Sequence, residues 1–248
     1  MSTHEVNNEH RKDTLFASDQ APKDFVFDEK VAAVFEDMIN RSVPGYRTIL
    51  SMIGVLAKKH YQKGSRIYDL GCSLGGASLA MASELGSDAH EIVAVDNSEA
   101  MIGKLTEKLS ATDIRSVACL CDDILEMPIE DASVVVLNFT LQFIDPASRQ
   151  TLMEKIYQGL RPGGILVVSE KILLPDTELN ELMIELYHEF KESQGYSKLE
   201  ISQKRTALEN VLIPETLEQH RARLQKEGFR AFDAWFQCFN FASMVAFK

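Results

Sequence analysis

Ile67-Tyr68-Asp69-Leu70-Gly71-Cys72-Ser73-Leu74-Gly75-Gly76-Ala77, followed after a helix-length interval by Ile92-Val93-Ala94-Val95-Asp96-Asn97-Ser98, carries the strongest signal in the chain. The first stretch reads as strand, glycine turn and helix start, and the second as a strand closed by an acid. Glycines let the backbone approach a ligand where a Cβ would clash, and a helix opening at Ala77 points free N–H groups into the turn. Asp96 lies twenty residues beyond Gly76, where a carboxylate accepts hydrogen bonds from ribose hydroxyls. The expected ligand is a nucleoside.

Its tail is read from a missing glycine. A dinucleotide fingerprint, Gly-x-Gly-x-x-Gly, needs glycine at its second conserved position so that a pyrophosphate can lie against the backbone. This chain has Ser73 there. The hydroxymethyl group crowds a pyrophosphate but leaves room for an amino-acid tail. Asp69 beside the turn repels phosphate and could meet an ammonium. S-adenosylmethionine satisfies both conditions better than NAD.

The 248 residues are 45% hydrophobic and 25% charged, enough for one enzyme-sized domain with a substantial core. No apolar run approaches the roughly eighteen residues of a membrane span, and the first twenty residues are polar and of mixed charge. The cytoplasm is the expected location. Cys72, Cys119, Cys121 and Cys238 lack zinc-site spacing, the Cys119-x-Cys121 pair reads as strand core, and the histidines form no ligand pair. No metal is expected, and no Gly-x-Ser-x-Gly elbow offers a hydrolase nucleophile. The net charge of −11 and the shortness of the longest basic cluster, Lys204-Arg205, argue against direct nucleic-acid binding and for a small-molecule substrate.

Strands expected at 67–70, 92–96, 117–121, 134–138 and 165–169 alternate with helices near 76–86, 98–110 and 147–160. Such alternation predicts a parallel sheet covered on both faces, with ligands at the carboxyl ends of its strands. Leu160-Arg161-Pro162-Gly163-Gly164 reads as a helix stop and turn before the fifth strand. Ala234–Phe236 and Phe241–Phe247 read as a closing antiparallel pair. Segments 28–61, broken at Pro44-Gly45, and 177–212 read as helical caps. Residues 1–24 are expected to be a flexible N-terminal segment, and 25–248 one nucleoside-binding domain. Asp123 and Ile124 at the third strand end, and Asn138 at the fourth, fall where adenine and methionine would lie.

The placement of Asp96, Asp123 and Asn138 on successive strand ends resembles the class I S-adenosylmethionine-dependent methyltransferase fold over about residues 60–248. That resemblance implies a Rossmann-like α/β fold with a seven-stranded, mostly parallel sheet, a C-terminal antiparallel hairpin and helical caps. The Asn-Pro-Pro-aromatic motif of amino-directed base methyltransferases is absent, since the chain has Asn138-Phe139-Thr140-Leu141. Arg41-Ser42-Val43-Pro44-Gly45-Tyr46, the 68–75 turn, Val136–Phe143 and Glu200-Ile201-Ser202-Gln203-Lys204-Arg205 resemble the carboxy-S-adenosylmethionine synthase family. The first and last of these lie in the caps and are specific to that family rather than to the fold.

The resemblance implies that S-adenosylmethionine is a substrate. Prephenate would supply a carboxyl group to its methyl carbon, leaving phenylpyruvate, and the product would serve the pathway to 5-oxyacetyluridine at the tRNA wobble position. A sulfonium acidifies its methyl protons, and loss of carbon dioxide and hydroxide makes the prephenate ring aromatic. A closed, dry site is required, and the two caps are its candidate lid. By the same resemblance Gly71, Cys72 and Ser73 line the methionine end, Asp96 and Asn97 the ribose, and Asp123 and Ile124 the adenine. Asn138, Tyr46 and Arg205 complete the site, with Arg205 and Tyr46 as the catalytic candidates. A guanidinium beside a sulfonium is unfavourable unless a carboxylate lies between them, and the new carboxylate is that group. Asp122 stands where the family pattern has glycine, and Asp123 is assigned to adenine because it precedes Ile124. The resemblance also implies a homodimer. A methyltransferase of a small acid and a catalytically silent nucleoside-binding regulator remain the alternative readings, and no general base is apparent.

Overall fold

The computed structural model describes residues 12–18, 23–86 and 90–248. Its strands are β1 (Arg66–Leu70), β2 (Glu91–Asp96), β3 (Val117–Cys121), β4 (Ala132–Asn138), β5 (Leu160–Leu173), β6 (Glu215–Thr216), β7 (Ala231–Cys238) and β8 (Phe241–Phe247). They form one sheet in the order β3-β2-β1-β4-β5-β8-β7. The first five run parallel, β8 and β7 are antiparallel, and β6 adds a short parallel pair to the far end of β5. The expected seven strands are thus joined by a small eighth.

The helices are α1 (Glu29–Ser42), α2 (Tyr46–His60), α3 (Gly76–Leu85), α4 (Glu99–Ser110), α5 (Arg149–Gly159), α6 (Thr177–Ser193), α7 (Lys198–Leu208) and α8 (Leu217–Glu227). Val134–Leu137 and Ile165–Val168 are buried throughout, as continuous apolar runs must be when a parallel sheet is covered on both faces. Alternate residues feed two cores. Leu70, Val135 and Leu137 pack with Leu152 and Ile156 of α5, whereas Ile67, Val134 and Val136 pack with Ile49 and Ile53 of α2 and Met81 of α3. β3 is an edge strand with Cys121 exposed, so the expectation that the Cys119-x-Cys121 pair lies in the core does not hold.

Helix starts follow side-chain caps: Asp28 accepts from Val31 N–H, Ser98 from Met101 N–H and Asp176 from Leu179 N–H. Capping boxes at Ser197/Glu200 and Thr216/Gln219 open α7 and α8. The Thr216/Gln219 pair was a legible signal for α8, which lies outside the helices expected from periodicity. The expected break at Pro44-Gly45 separates α1 from α2. Gly45 has φ +73°, and a Cβ there would stand 2.4 Å from Phe236 Cζ. The turn expected at 160–164 is instead a bulge within β5: the pairing jumps from Ala132–Leu160 to Val134–Ile165.

The expectation of a flexible segment over 1–24 needs correction where it is described. Asp13 is 1% exposed. Its amide donates to Asp37, its carboxylate accepts from Tyr196 Oη at 2.7 Å, and its carbonyl accepts from Arg41 Nη2. These three polar partners from both caps outweigh the freedom of a terminal segment. The rest of that expectation, at 1–11 and 19–22, lies outside the described residues.

Candidate active site

The carboxyl ends of β1, β2 and β4 converge on the glycine turn. Gly71 and Cys72 N–H both donate to the Val95 carbonyl at 2.8 Å, which tucks the turn against β2. Gly71 has φ +76°, and a Cβ there would stand 2.3 Å from Thr140 Cγ2. Ser73 holds φ +48°, a conformation that non-glycine residues rarely adopt. Asp96 fixes it there: one carboxylate oxygen accepts from Ser73 N–H at 2.9 Å and the other from Ser98 N–H at 2.9 Å. Burial pushes the Asp96 carboxyl up, opposed by those two donors. Each oxygen keeps a lone pair for a ribose hydroxyl.

Asp96, Asn97, Asp122, Asp123 and Ile124 line one hollow together with Gly71 and Ser73. Leu125 N–H donates to Asp123 Oδ1 and Asp123 N–H to Asp122 Oδ1, so both aspartates border the hollow. Ser73, Gly71 and Phe139 also line a second cavity, together with Tyr46, Cys72 and Asn138. Phe139 has φ +62°, with its N–H donating to Ser169 O at 2.7 Å. This strained turn sets its ring between the two spaces, 6.3 Å from Tyr46 and 6.1 Å from Phe241.

Asn138 Oδ1 is buried with no partner among the described residues. A buried, unmatched acceptor beside a glycine turn is what a site for a polar amino-acid tail would present. Tyr46 opens α2, and a Cβ at Gly76 would stand 2.9 Å from its Oη. Burial pushes its phenol up, with the Asp69 charge adding to the effect. Asp69, expected to meet an ammonium, also serves the fold: its Oδ2 accepts from Ser78 N–H at 2.9 Å and Ser78 Oγ at 2.6 Å, anchoring the start of α3, while the residue lines the methionine-end cavity. Burial pushes Asp69 up to about 6, against those bonds. Burial also raises the Cys72 thiol well above its ordinary value, so this cysteine is a wall, not a nucleophile.

The comparisons with known proteins agree with this geometry. The family described as "Methyltransferase domain" matches residues 67–164. Carboxy-S-adenosyl-L-methionine synthase of Trichlorobacter lovleyi is 58% identical over 227 residues, covering 91% of this chain and 93% of the relative. The Shewanella sediminis protein of the same name is 53% identical over 96% of this chain and 98% of its own length. The chain belongs to the carboxy-S-adenosyl-L-methionine synthase family. Solved methyltransferases share the fold at low identity. Magnesium protoporphyrin IX methyltransferase of Synechocystis, with bound S-adenosylmethionine, aligns at TM-score 0.55 and 13% identity, covering 82% of this chain and 80% of its own. Human N-acetylserotonin methyltransferase gives TM-score 0.53 and 17% identity, covering 90% and 60%.

Of the residues expected in the site of this carboxy-S-adenosylmethionine synthase relative, Arg205 stands apart. It is exposed on α7, and lines a neighbouring hollow rather than the cavity that holds Tyr46 and Asn138. Lys171, Gln142, Tyr187 and Lys204 do line that cavity, and sequence reading missed them. Lys171 lies near the carboxyl end of β5, where the strand-end rule places ligands. Tyr187 and Lys191 stand one turn apart on α6, a legible but weak signal. Among the described residues no group of His, Cys, Asp or Glu could hold a metal, and no helix is long and apolar enough to cross a membrane.

Proposed function

We propose that this chain joins the carboxyl group of prephenate to the methyl carbon of S-adenosylmethionine, forming carboxy-S-adenosylmethionine, phenylpyruvate and water. One methyl proton leaves and combines with the hydroxide that prephenate loses, so atoms and charge balance. The observation that carries the reading is the pair of cavities joined at Gly71, Ser73 and Phe139. One is lined by the nucleoside-binding acids, and the other runs past Tyr46 and the unmatched Asn138 to Lys171. The second cavity is walled by aromatic rings and by Lys171 and Lys204, cations that suit an acidic co-substrate.

In this reading Asp96 and Asn97 hold the ribose, Asp123 and Ile124 the adenine, and Gly71, Cys72, Ser73 and Asn138 the methionine end. Tyr46 and the aromatic wall exclude water, and Arg205 pairs with the new carboxylate. The product serves tRNA wobble uridine modification by passing to another protein. With its net charge of −11 this chain should show no affinity for tRNA at physiological ionic strength, and submicromolar binding in a titration would overturn the small-molecule reading. Four free cysteines suit the reducing cytoplasm. A homodimer is supported by Leu179 and Leu182 of α6, both more than 40% exposed. Sedimentation at about twice 27.8 kDa checks it. The deciding experiment incubates purified protein with S-adenosylmethionine and prephenate and weighs the nucleoside. Gain of one carboxyl group supports the reading, and S-adenosylhomocysteine sinks it.

A further inference from the structure

Behind the methionine-end cavity lies a hollow lined by Lys171, Lys191, Lys204 and Arg205. The two spaces share Lys171, Tyr187 and Lys204, so they are neighbouring chambers of one site. The four cations are not equally occupied. Lys204 Nζ donates to Ser42 Oγ at 3.0 Å and lies 3.9 Å from Asp13 Oδ2, so it already has partners. Lys171, Lys191 and Arg205 form no ion pair among the described residues.

Lys171 and Lys191 come from different elements, β5 and α6, and both turn their ammonium groups toward the face of Tyr187, at 5.3 and 5.6 Å from the ring centroid. A ring quadrupole offsets part of the cost of holding a cation away from water, but not that of holding two beside each other. Lys191 is only 4% exposed. Burial, together with the neighbouring lysines, pulls Lys191 down to about 7, and burial with the Arg205 charge pulls Lys171 down to about 8. Glu209, exposed at the end of the lining, is the acid among its residues. Two desolvated ammonium groups with no carboxylate in ion-pair contact among the described residues, Asp13 and Glu200 acting on Lys191 only beyond that range, make a place for an anion of two charges next to the methyl-end cavity that Lys171 also lines.

We propose that Lys171 and Lys191, with Arg205 at the exposed side, form the subsite for a small dianionic carboxylic acid, the carboxyl-donating co-substrate. The proposal rests on the carboxyl-transfer reading above. Lys171, on the wall between the chambers, holds the carboxylate that departs toward the methyl carbon. Lys191, farther back, holds the second carboxylate, which stays with the ring product. The same placement explains why the lysines are poised rather than paired: an internal acid would compete with the substrate.

The test uses the full chain with prephenate as probe. Lys171→Gln and Lys191→Met should each raise KM for prephenate by about 10- to 100-fold, as expected for loss of a charge-assisted hydrogen bond. Calorimetry should show S-adenosylmethionine affinity changed less than about twofold, since neither group reaches the adenosyl half. Lys171→Arg should recover part of the lost KM. Because Lys171 sits on a central strand and Lys191 on a cap helix, Lys191→Met keeps the test decisive if Lys171→Gln fails to fold. A wild type that turns over prephenate, with variants that retain its KM, overturns the subsite alone. Equal losses for both ligands overturn it too, by making the lysines general structural groups. A wild type that does not turn over prephenate overturns the reaction and the subsite together.

Discussion

Around Gly71 the site is made of backbone: carbonyls, amides and residues held at positive φ, among them Gly71, Ser73 and Phe139, with Asp96 as the side chain that pins Ser73. Under α6 and α7 it is made of long side chains whose ammonium groups hang over aromatic rings. The first region recognises what every ligand of this fold shares, an adenosine with a short tail, and does so with groups that lose little entropy on binding. The second must tell one small acid from others, and charge at the end of a flexible stem suits that task at the expense of stability. Substitutions in the first region should therefore damage binding of all ligands together, and those in the second should separate one ligand from another.

The largest effect is expected from Gly71→Ala. The new methyl group would enter the space of Thr140 in a backbone conformation that costs an L-residue about 1–2 kcal/mol, and overpacking adds a further amount of about 1–3 kcal/mol. Denaturant unfolding should show the loss, and S-adenosylmethionine binding should fall with it. A variant of full stability and affinity would mean that the turn is looser than its hydrogen bonds indicate.

Arg205→Ala should act selectively. If it pairs with the product carboxylate, its loss should weaken carboxy-S-adenosylmethionine by about 2–3 kcal/mol and S-adenosylmethionine far less. Arg205→Lys should restore only part, because the fork geometry is lost. Titrations of both ligands against wild type and the two variants measure the difference. Equal losses would move Arg205 from the discriminating region to the general one, and no loss would leave it as the solvated surface charge that its exposure on α7 alone suggests.

Asp96→Ala tests the other region. Two ribose hydroxyls lose an ionised acceptor, weakening S-adenosylmethionine by about 1–3 kcal/mol. The hydrogen bonds from Ser73 and Ser98 are lost as well, so the strained Ser73 turn should relax and the melting temperature should drop modestly. Substrate and product should lose affinity equally. Calorimetry with both ligands checks this, and unchanged affinity in a folded variant would remove Asp96 from the site.

The same contrast governs what the sequence disclosed. The glycine turn, Asp96 and the strand ends are local: each is a few residues whose spacing along one strand-turn-helix unit dictates where they meet. Alternating apolar runs likewise gave the parallel strands and their order of appearance. Lys171 and Lys191 are twenty residues apart on a strand and a helix. No periodicity announces that β5 and α6 turn them toward one tyrosine, because that meeting is set by how the cap packs, through Tyr187 on Phe241 at 4.9 Å. Asp13 was illegible for the same reason, since its partners Asp37, Tyr196 and Lys204 are brought to it by tertiary packing. The motifs in the caps pointed to the right family without revealing which side chains face inward. The glycine turn in turn did not disclose that Ser78 takes one oxygen of the Asp69 carboxylate, a contact made by the helix that follows.

The smallest expected effect is a pH dependence confined to the cap region. Burial and neighbouring cations hold Lys191 at about 7 and Lys171 at about 8, below the ordinary lysine value. A lowered lysine pKa means that the ammonium discharges as pH rises through these values, so the free protein carries both charges below about pH 7 and loses them toward pH 9. His188, Arg205 and Lys204 share the space, and Asp13 and Glu200 act on Lys191 with opposite sign, so the decline should be shallow. We expect kcat/KM for prephenate to fall by about three- to tenfold between pH 7 and pH 9, reporting the free protein's ionisations. S-adenosylmethionine affinity should stay level over the same range, because neither lysine lines the hollow that Asp96 borders. In Lys191→Met the lower of the two steps should vanish, leaving a single decline centred near pH 8. A flat profile in the wild type would show that the lysines keep their charge and that the two regions differ in geometry alone. A profile in which both ligands weaken together would erase the distinction between them.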